Sequence, residues 1–347
     1  MDRMMAWAGA QVSAEFPAGA SALTASVAVA EPARRPTETT RTHMTALATT
    51  DTLSLRRLSP AMGAEITGVD VARPVDDALF AQLRAALQEH HVLCLRDQNL
   101  DETQQIAFSE LFGPLETFPE KDKTKSQSTI YNVANVSPDG VHLPVTDHRV
   151  VAQKVNARWH TDSSYRYIPS YCSLLYGIEV LPDEAQGGET EFSNLFLAYD
   201  ALDAATKRRL QPLHMVHYYE FGRRLFPELP PVSQVEKEFV PPVSHPLVRV
   251  HPDRGGRPAL FFTVNAGNEV SGMALEEGQA LLRELAAHVS KPEFCYRHRW
   301  RKGDLVIWDN RCLLHRARDY DMSRWRRVSR RTTVAGNGPV LGPFSQA

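Results

Sequence analysis

From Leu53 onward the chain alternates between short apolar stretches and polar or glycine breaks. Leu55, Leu58, Ile66, Val69 and Val71 fall in β-type segments interrupted by Gly63 and Gly68, after which Leu79, Phe80, Leu83, Ala86 and Leu87 recur at helical spacing. Val92 to Leu95 is a continuous apolar run of strand length, and a second helix is predicted from Glu102 to Phe112, stopped by Gly113-Pro114. Short strands dominate the remainder, punctuated at Pro138-Asp139-Gly140, Gly187-Gly188, Arg254-Gly255-Gly256 and Lys302-Gly303-Asp304. Only two later stretches read as helical. One is capped by Asp203 and runs to Leu210; the other carries Leu275, Leu281, Leu282, Leu285 and Val289 on one face. Many strands with a few peripheral helices predict a mainly β chain, a sandwich or jelly roll rather than a doubly wound parallel sheet.

Residues 1–50 have a different texture, rich in Ala, Thr and Ser with no sustained period, and are expected to be a disordered tail. A single domain is expected over 51–337, followed by a short tail at 338–347. The overall balance of 43% apolar and 23% charged residues in 347 is that of a globular protein. A net charge of −2 supplies no field that would recruit nucleic acid or a membrane surface. No apolar run is long enough to span a bilayer. The four cysteines are widely separated, without a Cys-x-x-Cys pair, which suits reduced thiols in a cytoplasm better than a disulfide framework or a structural zinc site.

The candidate chemistry begins with Trp159-His160-Thr161-Asp162. Chance alone supplies about one His-x-Asp triplet in a chain with this many histidines, so the triplet needs context. A second copy, His251-Pro252-Asp253, follows a strand-like run and precedes Arg254-Gly255-Gly256, which reads as a hairpin tip of solvated polar residues. The first copy stands where a loop enters the apolar stretch from Tyr171 to Val180. In extended chain, residues i and i+2 project to one face, so His160 and Asp162 can reach the same ion.

The C-terminal segment supplies what is missing. Phe294, Tyr296, His298 and Trp300 alternate along one face, Leu305 to Trp308 is a buried-type strand, and His315 follows it closely. Two imidazoles and one carboxylate can hold Fe(II) on one face and leave the opposite face open. From Arg326 to Val334 an extended strand places Arg327, Ser329 and Arg331 on one side. Guanidinium groups there can clamp carboxylates through their planar forks. Residues 297–331 hold 11 Arg and 1 Lys against 4 Asp, which also admits a solvated or RNA-binding surface, although no RNP-like sequence or zinc finger accompanies it.

Trp159 to Asp162, Gly187-Gly188-Glu189-Thr190, the segment from Gly303 to His315 and that from Arg327 to Thr333 together resemble the taurine dioxygenase family of Fe(II)- and 2-oxoglutarate-dependent oxygenases, in particular its 2,4-dichlorophenoxyacetate dioxygenase branch. The likeness extends over about residues 53 to 335. It implies a double-stranded β-helix, with His160, Asp162 and His315 as the catalytic iron ligands. It further implies that Thr190 bonds one end of 2-oxoglutarate, that Arg327 pairs with its distal carboxylate, and that Arg331 and Lys121 hold the anionic group of the substrate. The bland alternative for Thr190 is an ordinary strand threonine, and Lys121 belongs to a lysine run, with Lys123 and Lys125, of the kind found in solvated loops.

The implied reaction consumes O2 and 2-oxoglutarate, releases succinate and CO2, and hydroxylates a small anionic organic substrate, an aryloxyalkanoate or related carboxylate. A taurine, alkanesulfonate or alkyl sulfate substrate is the alternative within the same chemistry, and a non-catalytic metal-binding β-barrel the alternative outside it. Phe118 stands where sulfonate users carry a histidine, which argues against taurine. The segment 118–155 matches the family poorly, and the link from Pro182 to Gly188 is longer than usual. Relatives imply a homo-oligomer.

Overall fold

The computed structural model describes residues 53–117 and 128–344. The expected N-terminal tail, Phe118 and Lys121 lie outside the described residues.

Seven strands form the principal sheet, in the order Ser54–Arg57, Ala64–Thr67, Val92–Leu95, Leu305–Asp309, Cys172–Glu179, Val328–Val334 and Ile130–Ala134. All neighbours are antiparallel except Ala64–Thr67 with Val92–Leu95. A three-stranded sheet, Cys295–His298, Thr190–Asn194 and Leu313–Ala317, lies across the core from it. The two close over one another as the expected double-stranded β-helix, a mainly β jelly roll.

The strand period of two explains why the central strands are apolar without interruption. Leu93, Leu95, Leu305 and Ile307 face one apolar cluster together with Leu83 and Leu87 of the helix Asp77–His90 and Phe108 of the helix Glu102–Glu110. Val92, Cys94, Val306 and Trp308 point the other way, into the cluster shared with Phe192, Leu313 and Leu314 of the smaller sheet. A sheet covered on both faces has no place for alternating polar residues. Each fully buried Leu or Val contributes about 1.5–3 kcal/mol.

The predicted helices are present. Asp76 caps the first through Leu79 N–H at 2.8 Å, and Asp203 caps Ala204–Leu210 through the N–H groups of Ala205 and Thr206. Leu275–Val289 buries Leu281, Leu282, Leu285 and Val289 as its periodicity requires. The expectation of only two later helices was too low: His148–Gln153, Leu195–Asp200, Glu220–Arg224 and Gln234–Phe239 are also helical. At five or six residues each, they are too short to show a period of 3.6.

Two other readings are corrected. His251 is not a solvated hairpin residue. Its hairpin, Val248–Val250 with Pro258–Leu260, folds inward so that His251 is only 1% exposed and sits against Phe196 and Asp309. The arginine run is not a bare cationic face either. Arg297 and Arg316 both bond Glu191, Arg311 brackets Asp309 and Asp253, Arg326 pairs with Glu179, and Arg330 bonds Gln105. Of the expected C-terminal tail, Leu341 accepts a hydrogen bond from Val250 N–H, and Val340 is buried.

Candidate functional site

Among the described residues, three buried clusters bring His, Cys and Asp ligand atoms together: Cys94–His298–Asp304, His251–Asp309–Cys312 and His160–Asp162–His315. The first two are internally committed. Asp304 accepts from Arg96 at 2.6 Å and lies 3.1 Å from His298 Nε2. Asp309 is gripped by Arg311 and His251, and burial pushes both thiols, Cys94 and Cys312, well above the usual thiol range. In each of these two the histidine is bonded directly to the carboxylate, which is also salt-bridged to an arginine.

The third cluster differs. His160 and His315 face one another across a main-chain bridge, with their rings 4.1 Å apart. The ligand atoms of His160, Asp162 and His315 lie within 4.8 Å of one another, yet His315 Nε2 stands 3.8 Å from Asp162 Oδ2, too far for a hydrogen bond. At this spacing the three groups could hold one ion between them. His160 Nδ1 lies 2.7 Å from the Arg158 carbonyl, a contact that places the ring proton on Nδ1 and leaves Nε2 as a ligand. Burial lowers the pKa of both imidazoles, keeping them in the neutral form that binds metal. Burial opposes ionisation of Asp162, but the Arg331 guanidinium, with a hydrogen bond from Ser173, outweighs it and brings its pKa down to about 2. A neutral imidazole pair and an ionised carboxylate constitute a donor set suited to Fe(II).

Beside these ligands lies a cavity lined by His160, Leu175, Thr190, Trp308, His315, Tyr320 and Arg327. Thr190 begins a strand that follows Gly187-Gly188. Gly187 has φ +85°, and a Cβ there would fall 1.8 Å from the Asp319 carbonyl oxygen, so only glycine permits this approach. Trp300 Nε1 donates to Thr190 Oγ1 at 3.1 Å, which turns the threonine's own proton toward other acceptors. Arg327 is buried, and no acid among the described residues bonds its guanidinium; burial pushes its pKa below the usual arginine value, with Tyr320 the one group that opposes this. Tyr320 Oη is itself buried without a partner among the described residues. An enclosed cation with a free hydroxyl group beside it is a receptor for an anion.

A second chamber meets the first at Asn156, His160 and Arg331. Tyr131, Tyr165, Tyr219 and Leu229 form much of its wall, with Asp162 at its end. Arg223, also in the wall, is already bonded to Glu236 and to the Pro230 carbonyl. Arg331 Nη1 lies 2.7 Å from Asp162 Oδ1, with its Cζ 4.9 Å from the centre of the Tyr131 ring.

The structure therefore brings together His160, Asp162, His315, Thr190, Arg327 and Arg331, and does not describe Lys121. Sequence reasoning missed Tyr320, Trp300, Ser173 and Asn310. Tyr320 lies in an irregular loop with no periodic signal, whereas Asn310 stood inside the Trp308-to-His315 segment and could have been questioned as a buried amide.

The model of a protein family described as Taurine catabolism dioxygenase TauD, TfdA family matches residues 54–333. The chain is 37% identical over 281 residues to the alpha-ketoglutarate-dependent 2,4-dichlorophenoxyacetate dioxygenase of Cupriavidus pinatubonensis, covering 80% of this chain and 96% of that protein. It is 34% identical to the (S)-phenoxypropionate/alpha-ketoglutarate-dioxygenase of Sphingobium herbicidovorans, covering 81% and 94% respectively. The crystal structure of AAD-2 in complex with Mn(II) and N-oxalylglycine superposes with a TM-score of 0.74 at 35% identity, covering 84% of this chain and 99% of that one.

Proposed function

This chain belongs to the taurine catabolism dioxygenase TauD, TfdA family, and from that premise we propose that it hydroxylates an aryloxyalkanoate, with His160, Asp162 and His315 holding the iron. It is a non-haem Fe(II)- and 2-oxoglutarate-dependent dioxygenase acting with O2 on a small anionic organic substrate. The observation that carries the assignment of roles is the meeting of two chambers at one ligand cluster, with Arg327 lining the first alone and Arg331 standing where the two meet.

When bound, Fe(II) and 2-oxoglutarate supply the oxidative decarboxylation that releases succinate and CO2 and provides the oxidising equivalent for hydroxylation. The chain's own residues bind and orient. In our reading Arg327 pairs with the distal carboxylate of 2-oxoglutarate, and Thr190, whose oxygen already accepts from Trp300, donates its own proton to the same cosubstrate. Arg331 meets the carboxylate of the substrate at the metal end of the second chamber, while Tyr131, Tyr165 and Tyr219 receive the aryl group. Tyr165 and Tyr219 meet edge to face at 4.9 Å, a wall that packs an aromatic ring and keeps water from the reacting carbon. Lys121 is assigned to the same anion by resemblance alone. Hydroxylation at a carbon bearing an ether oxygen gives a hemiacetal that breaks down to a phenol and an oxo acid.

A homo-oligomer acting in the cytoplasm, without a nucleic-acid or membrane partner, completes the reading. Among the described residues no helix is long and apolar enough to cross a membrane.

The test is a succinate-release screen over aryloxyacetates, aryloxypropionates, taurine, other alkanesulfonates and alkyl sulfates, with phenol detection on the aryloxy arms. Turnover of aryloxyalkanoates with stoichiometric phenol is expected. Succinate release on sulfonates or sulfates alone would reject the substrate class and leave the family chemistry standing.

A further inference from the structure

Behind Asp162 runs a chain of hydrogen bonds whose direction is set at its far end. Trp308 and Ser173 stand opposite one another on adjacent strands. Trp308 Nε1 donates to Asn310 Oδ1 at 2.9 Å. An indole nitrogen is a donor only, so the amide must present its oxygen there and its nitrogen elsewhere. That nitrogen, Asn310 Nδ2, donates to Ser173 Oγ at 2.9 Å. With a lone pair of Ser173 taken, its proton goes to Asp162 Oδ2, 2.7 Å away. Asn310 is pinned from two further sides: its Oδ1 accepts the Asp162 N–H at 3.3 Å, and its carbonyl oxygen accepts from Thr161 Oγ1 at 2.7 Å. Trp308, Asn310, Ser173 and Asp162 are all buried.

We propose that Ser173, oriented by Asn310 and Trp308, is a positioning residue that aims the Asp162 carboxylate at the metal. The proposal rests on the reading of Asp162 as a ligand. An aspartate has two equivalent oxygens and two free torsions, and a single donor leaves it free to pivot. Here each oxygen has its own donor, Arg331 on Oδ1 and Ser173 on Oδ2, which together fix the plane of the group. Arg331 also faces the substrate chamber and its bond to Oδ1 can change with occupancy. Ser173 has no exposure and no such second task, so it is the constant constraint. Outer hydrogen bonds of this kind orient metal ligands, and their loss weakens metal binding without removing a ligand.

The experiment measures Mn(II) affinity of the full chain without cosubstrate, from the electron paramagnetic resonance signal of free Mn(II), beside the near-ultraviolet circular dichroism and Tm of the metal-free protein. Ser173→Ala should weaken binding about 10- to 100-fold. Ser173→Thr keeps the hydroxyl and should hold affinity within about threefold of the parent. Equal weakening by Ala and Thr overturns the proposal, as does an Ala variant at parental affinity while Asp162→Ala loses binding. Unchanged binding in Asp162→Ala would instead overturn the metal assignment on which the proposal stands. Should Ser173→Ala fail to fold, Ser173→Cys replaces it: its weak thiol donor should give an intermediate affinity, and parental affinity there counts against the proposal.

Discussion

Arg331 Nη1 lies 2.7 Å from Asp162 Oδ1, so the guanidinium proposed for the substrate is already salt-bridged to the carboxylate proposed for the metal. Asp162 is buried and Arg331 largely so, and the cation holds the acid ionised. The arginine thus links the proposed iron ligand set to the proposed substrate chamber.

Replacing Arg331 by Gln should raise KM for substrate about 10- to 100-fold, the equivalent of the ~1.5–3 kcal/mol of a charge-assisted hydrogen bond. KM for 2-oxoglutarate should change far less. Steady-state kinetics varying each reactant in turn provide the measurement.

Arg327→Gln should do the reverse, raising KM for 2-oxoglutarate about 10- to 100-fold with little effect on substrate. Arg327 lines the cavity that also holds Thr190 and Tyr320 and is absent from the lining of the aromatic chamber. If both substitutions raised both constants alike, the division of labour between the two arginines would be wrong.

Alanine at His160, Asp162 or His315 should abolish oxygen-coupled succinate release and reduce Mn(II) binding by at least about tenfold, because each removes one of three buried donors. Saturating Mn(II) should raise the Tm of the parent protein, since the ion binds the fold and not the unfolded chain. A shift of equal size in all three variants would show that the stabilising ion sits elsewhere.

His217 predicts a pH dependence of stability. It is fully buried and stacked on Phe261, with neither ring nitrogen bonded to a described residue, and burial holds its pKa well below 6.5. Burial likewise pushes His91 and His245 down to about 4. These histidines are neutral in the fold and gain protons in the unfolded chain below its ordinary pKa of about 6.5. Stability is therefore full above pH 6.5 and falls as pH drops from there toward 4, by up to ~1.4 kcal/mol per pH unit for each histidine. Urea unfolding at pH 7 and at pH 5 should show this loss, and His217→Phe should reduce it. An identical loss in the variant would assign the slope to other groups.

The features legible in the sequence were those with local causes. His160 and Asp162 are two residues apart in near-extended chain, His315 follows a continuous apolar strand, and the strand Val328–Val334 carries Arg331 where the period of two puts it. What stayed hidden depends on long-range closure. The Arg327 environment needs Tyr320 from a loop, Ser173 reaches Asn310 across a strand pair 137 residues apart in sequence, and His251 reaches Asp309 over a separation of 58. The hairpin bearing His251 had the composition of a solvated turn. The helix Leu195–Asp200, packed on its strand Pro258–Leu260, turns it inward, and no local signal announces that contact.

His160 N–H donates to the His315 carbonyl at 3.0 Å, and His315 N–H returns the bond to His160 at 2.7 Å. Because this stitch is made of main chain, the two imidazoles are set opposite one another without any help from an ion. On the proposed ligand set iron would be a guest rather than a builder, and stripping it, exchanging it for a spectroscopic surrogate and restoring it should not require the polypeptide to refold.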